Sequence, residues 1–335
     1  MTTAGPALLQ VRDLRVHFPV RDARAWPWSP ARALKALDGV SFDLHAGQTL
    51  GVVGESGCGK STLARALLNV HPATSGSIRW RGQEMLGAPP AQWATLRRHM
   101  QMVFQDPLAS LNPRMTVAQI IAEPLRVHRP ELGTNEVMAK VRRMMDRVGL
   151  AARQMNRFPH AFSGGQCQRI GIARALILEP QLVVCDEPVS ALDLSIQAQI
   201  INLLQELQRE LGLALIFIAH DLAVVRHISQ RVMVMYLGRT MELADCAPLY
   251  AAAQHPYTQA LLSAIPLPDP AVERHKTLQL LQGDLPSPLD PPTGCVFRTR
   301  CPKAHSACAL QSPALLRQAN GTEVACHLVM DLHAA

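Results

Sequence analysis

The sequence predicts an α/β fold, and three observations predict it. Short apolar runs at 48–53, 182–185 and 213–219 read as buried strands. Helical periodicity separates two of them, with Ile196, Ile200, Leu203, Leu204, Leu207 and Leu211 on one face. The run at 48–53 leads straight into a glycine-rich turn and a helix over 60–68, which makes a βα unit.

The remaining elements follow in order. Leu9, Val11, Leu14, Val16 and Phe18 nearly alternate, so the chain opens on a β-ribbon, and a stretch rich in Pro and Trp at 19–30 interrupts it. Strand signals vanish between 107 and 162, where patterns such as 137–148, closed by Gly149, predict a helical insertion. Gly212 supplies the stop of the long helix that ends near Leu211. From about Ala247 the patterning weakens and Pro286, Pro288, Pro291 and Pro292 crowd together, which predicts a separate C-terminal appendage. No fixed-period repeat or sustained heptad is present, which excludes solenoids and long coiled coils.

Composition narrows the function. The 335 residues are about twice the ~150-residue prior for one domain, so the chain divides into more than one lobe. An apolar fraction of 48% against 18% charged excludes wholesale disorder. The formal charge of +7 favours an anionic ligand or surface without naming one. No run reaches the ~18 apolar residues of a membrane span and no leader pattern opens the chain, so a cytoplasmic protein is expected. In that reducing setting cysteines are thiols or metal ligands. Cys58, Cys167, Cys185 and Cys246 are scattered, whereas Cys295, Cys301, Cys308 and Cys326 gather near the end.

Gly54-Glu55-Ser56-Gly57-Cys58-Gly59-Lys60-Ser61 satisfies the G-x-x-x-x-G-K-S phosphate-loop pattern between a predicted strand and a predicted helix. Its glycines let backbone N–H groups point at phosphates, the helix end adds its dipole, and Lys60 adds a point charge. Ser61 is placed to hold Mg²⁺, with Thr62 beside it. Asp186 and Glu187 end an apolar strand, where a parallel sheet presents its functional edge. Asp186 suits the Mg²⁺ shell, and Glu187 suits polarisation of a water that attacks the γ-phosphate.

Phe162-Ser163-Gly164-Gly165-Gln166 resembles the signature of ATP-binding-cassette (ABC) ATPases. Physically, Ser163 and the glycine pair at the start of a helix form a second anion-binding end. The resemblance implies a phosphate-loop NTPase core of RecA-like α/β type, with a β-subdomain and a helical subdomain. It also implies an ATP sandwich in which Ser163, Gly164, Gly165 and Gln166 of one subunit close on ATP held by the other. Gln105 in Phe104-Gln105-Asp106, Asp193 in Ser190-Ala191-Leu192-Asp193 and His220 in Ala219-His220-Asp221 match the family pattern in order. By that resemblance Gln105 contacts Mg²⁺ and links to the membrane subunit, Asp193 lies at the dimer seam, and His220 contacts the γ-phosphate. Phe18 matches the adenine-stacking aromatic, with core packing as its rival and His17 as a substitute. Phe162 replaces the usual Leu, and Cys167 takes a place often held by Arg; neither departure removes a phosphate contact.

The flanks select among ABC proteins. Without coiled coils and with one signature, a transporter subunit is expected rather than a nucleic-acid-associated ABC ATPase. Residues 35–42 and 110–114, the tail segment 255–262 and Gly283-Asp284-Leu285-Pro286-Ser287-Pro288 resemble importer ATPases for dipeptides and oligopeptides, most of all the F-type subunit. Nickel and glutathione importers share much of this tail. The resemblance implies a core at 1–106 and 163–246, a helical subdomain at 107–162 and an extension at 247–335. It also implies a paralogous D-type ATPase and two permease subunits as partners, supplied by an external binding protein, and a place on the cytoplasmic face of the inner membrane. Cys295, Cys301, Cys308 and Cys326 are four soft ligands whose spacing admits an iron–sulfur cluster, tetrahedral zinc or packed free thiols. The resemblance favours a 4Fe–4S cluster.

Overall fold

A computed structural model describes residues 5–21, 31–190, 192–266 and 269–330. The chain clusters into two compact units. The hairpin unit takes Leu9–Asp43, Leu50–Leu86 and the chain from Ala219 onward; the helical unit takes the start up to Leu8, Leu44–Thr49 and Gly87–Ile218.

The opening ribbon forms as the alternation predicts. Strand β1 (Leu9–Val20) buries Leu9, Val11, Leu14 and Val16 on one face, and β2 (Arg32–Leu44) follows. β1 extends through Pro19, and the rest of the predicted interruption, 22–30, lies outside the described residues. The fully buried β3 (Thr49–Val53) leads to helix α1 (Lys60–Leu67). Strands β4 (Ser75–Trp80) and β5 (Gln83–Glu84) then form a hairpin, and one sheet of this unit runs in the order β2-β1-β4-β5.

The helical unit begins with α2 (Pro90–His99) and β6 (Met100–Val103). No strand forms between 107 and 162, as expected: the segment holds α3 (Val117–His128), α4 (Thr134–Arg147) and two short 3₁₀ turns. α3 carries Pro124 inside it and opens on a capping box between Thr116 and Gln119. Next come α5 (Gly164–Leu176), β7 (Leu182–Asp186), α6 (Leu194–Leu211) and β8 (Ala214–Ile218). Gly212 ends α6 in the left-handed conformation at φ 65°. β6, β7 and β8 are neighbours in parallel register, with Met100 opposite Leu182 and Leu182 opposite Ala214. Every residue of β7 and β8 is buried, which explains their unbroken apolar runs. Each buried Val, Leu or Ile there contributes roughly 1.5–3 kcal/mol through removal from water.

The chain then returns to the hairpin unit through α7 (Leu222–Ile228) and the hairpin β9 (Arg231–Tyr236) and β10 (Arg239–Asp245). β9 pairs in parallel with β3, so Leu50 stands opposite Arg231 and Val53 opposite Val234. No helix or strand forms around Pro286, Pro288, Pro291 and Pro292, as those prolines predict, but the appendage is regular before them. It opens with α8 (Cys246–Ala252) and α9 (Pro256–Ser263), because Pro256 sits at the first helical turn, where its missing N–H costs nothing.

Candidate active site

In the hairpin unit the phosphate loop joins β3 to α1, and its shape depends on glycine. Gly54 and Gly59 have φ 153° and 105°; a Cβ at Gly54 would lie 2.2 Å from the Met235 carbonyl oxygen and one at Gly59 2.4 Å from that of Ala36. The turn of the β9–β10 hairpin supports the loop from behind, since the Gly238 N–H donates to the Cys58 carbonyl at 2.9 Å. Lys60 is buried, and its ammonium donates to the carbonyls of Gly54 at 2.8 Å and Glu55 at 3.1 Å. Ser56 and Gly57 are exposed, whereas Ser61 and Thr62 are half-buried at the start of α1. Burial pushes the Cys58 thiol up, which suits a packing role for this loop position.

Two further predicted residues belong to the same unit. His220 is exposed, and the next residue, Asp221, caps α7 by accepting the Ala223 N–H at 2.7 Å. Phe18 is half-buried and meets His71 edge-on at 5.3 Å. His17 instead approaches Asp38, with Nε2 to Oδ1 at 3.3 Å.

The helical unit holds the acidic pair and the signature. Asp186 is buried at the end of β7, and Glu187 follows with φ 45°, a left-handed backbone that costs a non-glycine residue about 1 kcal/mol or more. That strain is held in place by three bonds. The Glu187 N–H donates to the Ile218 carbonyl at 3.0 Å, and its own carbonyl accepts from the Ser190 N–H at 3.3 Å and hydroxyl at 3.1 Å. The Glu187 carboxylate accepts the Gln105 amide N–H at 2.9 Å, so the structure brings together two residues 82 positions apart. This is the environment expected where a carboxylate must be aimed rather than merely solvated.

Ser163 stands at the N-terminus of α5, where its hydroxyl accepts the Gln166 N–H at 3.4 Å and its own N–H donates to the Gln166 side-chain oxygen at 3.1 Å. Ser163 and Gly164 are exposed; Gly165 is buried against α6, and a Cβ there would lie 2.5 Å from Cγ2 of Ile196. Asp193 caps α6, and the Ser195 hydroxyl at 2.6 Å, followed by the Ile196 N–H, holds its carboxyl below the usual range.

In the extension, Cys295, Cys308 and Cys326 are buried and Cys301 is half-buried, and the Cys295 N–H donates to the Cys308 carbonyl at 2.8 Å. Burial, reinforced by the other three sulfurs, pushes the Cys295 thiol up to about 11. Among the described residues no three His, Cys, Asp or Glu side chains are disposed to hold a metal ion. The expected cluster is therefore represented by a gathered donor set and not by a formed metal site.

Sequence reasoning missed two contacts to the phosphate loop. Arg300 forms an ion pair with Glu55 at 2.8 Å, and Tyr257 accepts the Glu55 N–H at 3.0 Å. A separation of 245 positions leaves no local signal for the first. The second lies within a tail segment noted above only for its resemblance.

Comparisons with known proteins agree with this arrangement. The ABC transporter family matches residues 37–190, and a family described as the oligopeptide/dipeptide transporter C-terminal region matches 241–308. The chain is 60% identical over 315 residues to the oligopeptide transport ATP-binding protein OppF of Escherichia coli, covering 94% of each. It is 58% identical to OppF of Haemophilus influenzae, covering 96% of this chain and 97% of that one. Among solved structures it is similar to cbiO1 from Clostridium perfringens, part of the ABC transporter complex cbiONQ, with a TM-score of 0.63 and 26% identity over 74% of this chain and 92% of that one. A bacterial ABC transporter cassette solved as a dimer shares the fold, with a TM-score of 0.63 over 71% of this chain and 98% of that one. With motifs, fold and near full-length identity in agreement, the chain belongs to the ABC transporter family, as one of its ATPase subunits.

Proposed function

We propose that this chain is the ATP-binding and ATP-hydrolysing subunit of an importer for dipeptides and oligopeptides. The observation that carries the reading is 60% identity to an oligopeptide transport ATP-binding protein across 94% of the chain, tail included. Among the described residues no helix is long and apolar enough to cross a membrane. A paralogous D-type ATPase, two permease subunits and an external peptide-binding protein complete the proposed assembly, with this chain on the cytoplasmic face of the inner membrane. In this reading 1–106 and 163–246 are the nucleotide-binding core, 107–162 the helical subdomain and 247–335 the importer-type extension.

Each residue takes the role its motif implies. Gly54 through Thr62 cradle the triphosphate, with Lys60 as the point charge. Ser61, Gln105 and Asp186 are hard oxygen donors, the set that suits Mg²⁺, which when bound neutralises phosphate charge. Glu187 accepts a proton from the attacking water, and Gln105, already bonded to its carboxylate, fixes its direction. His220 contacts the γ-phosphate, and Phe18 stacks on adenine. Ser163, Gly164, Gly165, Gln166 and Asp193 act across the dimer on the ATP held by the partner subunit. The four C-terminal thiols are, by donor chemistry, a receptor for a 4Fe–4S cluster. Iron at about four atoms per chain after anaerobic purification is the expected outcome, and iron-free protein of unchanged stability excludes it.

The complex, reconstituted in vesicles, should show ATPase activity that rises when a peptide-loaded binding protein is added. Glu187→Gln should lower kcat by about 10²–10⁴-fold while ATP is still bound. Stimulation by nucleic acid in place of the loaded binding protein would overturn the peptide-import reading.

A further inference from the structure

Glu55, the second residue of the phosphate loop, is held from three directions. Its carbonyl accepts the Lys60 ammonium at 3.1 Å and the Cys58 N–H at 3.2 Å, both from the loop itself. The other two directions come from the extension. The Tyr257 hydroxyl accepts the Glu55 N–H at 3.0 Å, and one guanidinium nitrogen of Arg300 donates to both carboxylate oxygens, at 3.0 and 2.8 Å.

These two groups are well anchored. Tyr257 and Tyr236 are fully buried and meet edge-on at 4.9 Å, and Phe297 closes the cluster at 5.3 Å from each. The Arg300 guanidinium lies 5.9 Å from the Tyr236 ring, and its side chain is only 10% exposed. An ion pair this covered differs from a solvated surface pair, because removal of one partner leaves the other charge poorly compensated.

We infer that Arg300 and Tyr257 are positioning residues for the nucleotide: they order the phosphate loop through Glu55 before ATP arrives and cancel the one carboxylate charge that the loop carries. A triphosphate entering this loop meets Lys60 as an attractive charge and Glu55 as a repulsive one. Arg300 removes the repulsion. When Lys60 leaves the Gly54 and Glu55 carbonyls for phosphate oxygens, Tyr257 and Arg300 still hold Glu55, so less of the loop must be ordered on binding. The extension thus acts on ATP affinity directly, which deepens the proposed function and rests on its assignment of the loop to ATP.

The test compares ATP affinity and ATPase kinetics of the full chain, assembled with its partners, across four variants. Arg300→Met should raise the Kd and KM for ATP about tenfold, the effect of ~1.4 kcal/mol, with kcat within twofold of wild type. Adding Glu55→Gln to Arg300→Met should bring KM back to within about threefold of wild type, since the repulsive charge is gone. Unchanged KM in Arg300→Met, or a double variant as weak as Arg300→Met, overturns the inference. Tyr257→Phe keeps the buried ring and carries the test on its own if Arg300→Met does not fold: about a threefold rise in KM at unchanged kcat is expected, and no rise is the opposing result. Arg300→Lys, which retains the charge, should recover most of the affinity. A wild-type chain that binds no ATP would instead sink the proposed function, an outcome distinct from variants that bind as tightly as wild type.

Discussion

Two helix N-termini of this chain bear glycine-rich phosphate motifs, and they are finished in opposite ways. α1 begins at Gly59 in the left-handed conformation, and no side chain caps it. α5 begins at Ser163 with a reciprocal capping box in which serine hydroxyl and glutamine amide serve each other's N–H groups. The difference separates a helix end shaped for a ligand from one that is complete on its own. The first is contoured by its glycines and supported by the β9–β10 hairpin, so a ligand would displace only the Lys60 ammonium from the Gly54 and Glu55 carbonyls. In the proposed function the second gives up an internal cap when its serine turns to a phosphate, which suits a contact made only when a partner closes. A third N-terminus, that of α9, is capped by a titratable group: buried His255 accepts the Tyr257 N–H at 3.0 Å through Nδ1.

The largest effect on ATP binding is expected at the open end. Lys60→Ala should weaken ATP binding by about 100-fold, ~2.7 kcal/mol, by deleting a charge-assisted contact while leaving the glycine-shaped loop intact. Titration with a fluorescent nucleotide checks it, and near wild-type affinity would erase the contrast between the two ends.

The titratable cap comes next. Burial pushes the His255 imidazole down to about 3, so the unfolded chain takes up this proton first as pH falls. The stabilisation is complete above the ordinary histidine value near ~6.5 and is lost toward pH 3, at up to about 1.4 kcal/mol per pH unit. His255→Asn keeps a capping acceptor without the titration, and thermal melts across that range should show a flatter acid slope than wild type.

The smallest effect belongs to the closed end. Ser163→Ala should cost about 1 kcal/mol of stability, a few degrees or less in Tm, through loss of the cap. A loss of ATPase activity in the assembled complex far beyond what that shift explains would show that the serine has a second use. Activity that merely follows stability would reduce Ser163 to a cap.

Much of this molecule is legible locally. β3, α1, β7, α6 and β8 announce themselves because buried parallel strands are unbroken apolar runs and the long helix keeps one apolar stripe. The β9–β10 hairpin was harder to see. Its turn is Leu237-Gly238, both at positive φ, and leucine at φ 44° carries none of the Asn-Gly or Asp-Gly signal by which such turns are read. The extension's α8 and α9 lie where the apolar patterning weakens, and α9 begins at Pro256, since a proline can open a helix as well as mark a loop.

The candidate site divides along the same line. The sequence by itself determined the chemical inventory: the phosphate loop, the Asp186–Glu187 pair, the signature serine and the order in which they occur, because each is a short pattern whose chemistry depends on adjacent residues. Only the tertiary structure decided how some of those groups are aimed: the left-handed backbone of Glu187, its bond to Gln105, and the hold of Arg300 and Tyr257 on Glu55. Those are contacts between residues tens to hundreds of positions apart. No local pattern encodes them, since they exist only when sheet pairing and core packing bring the segments together.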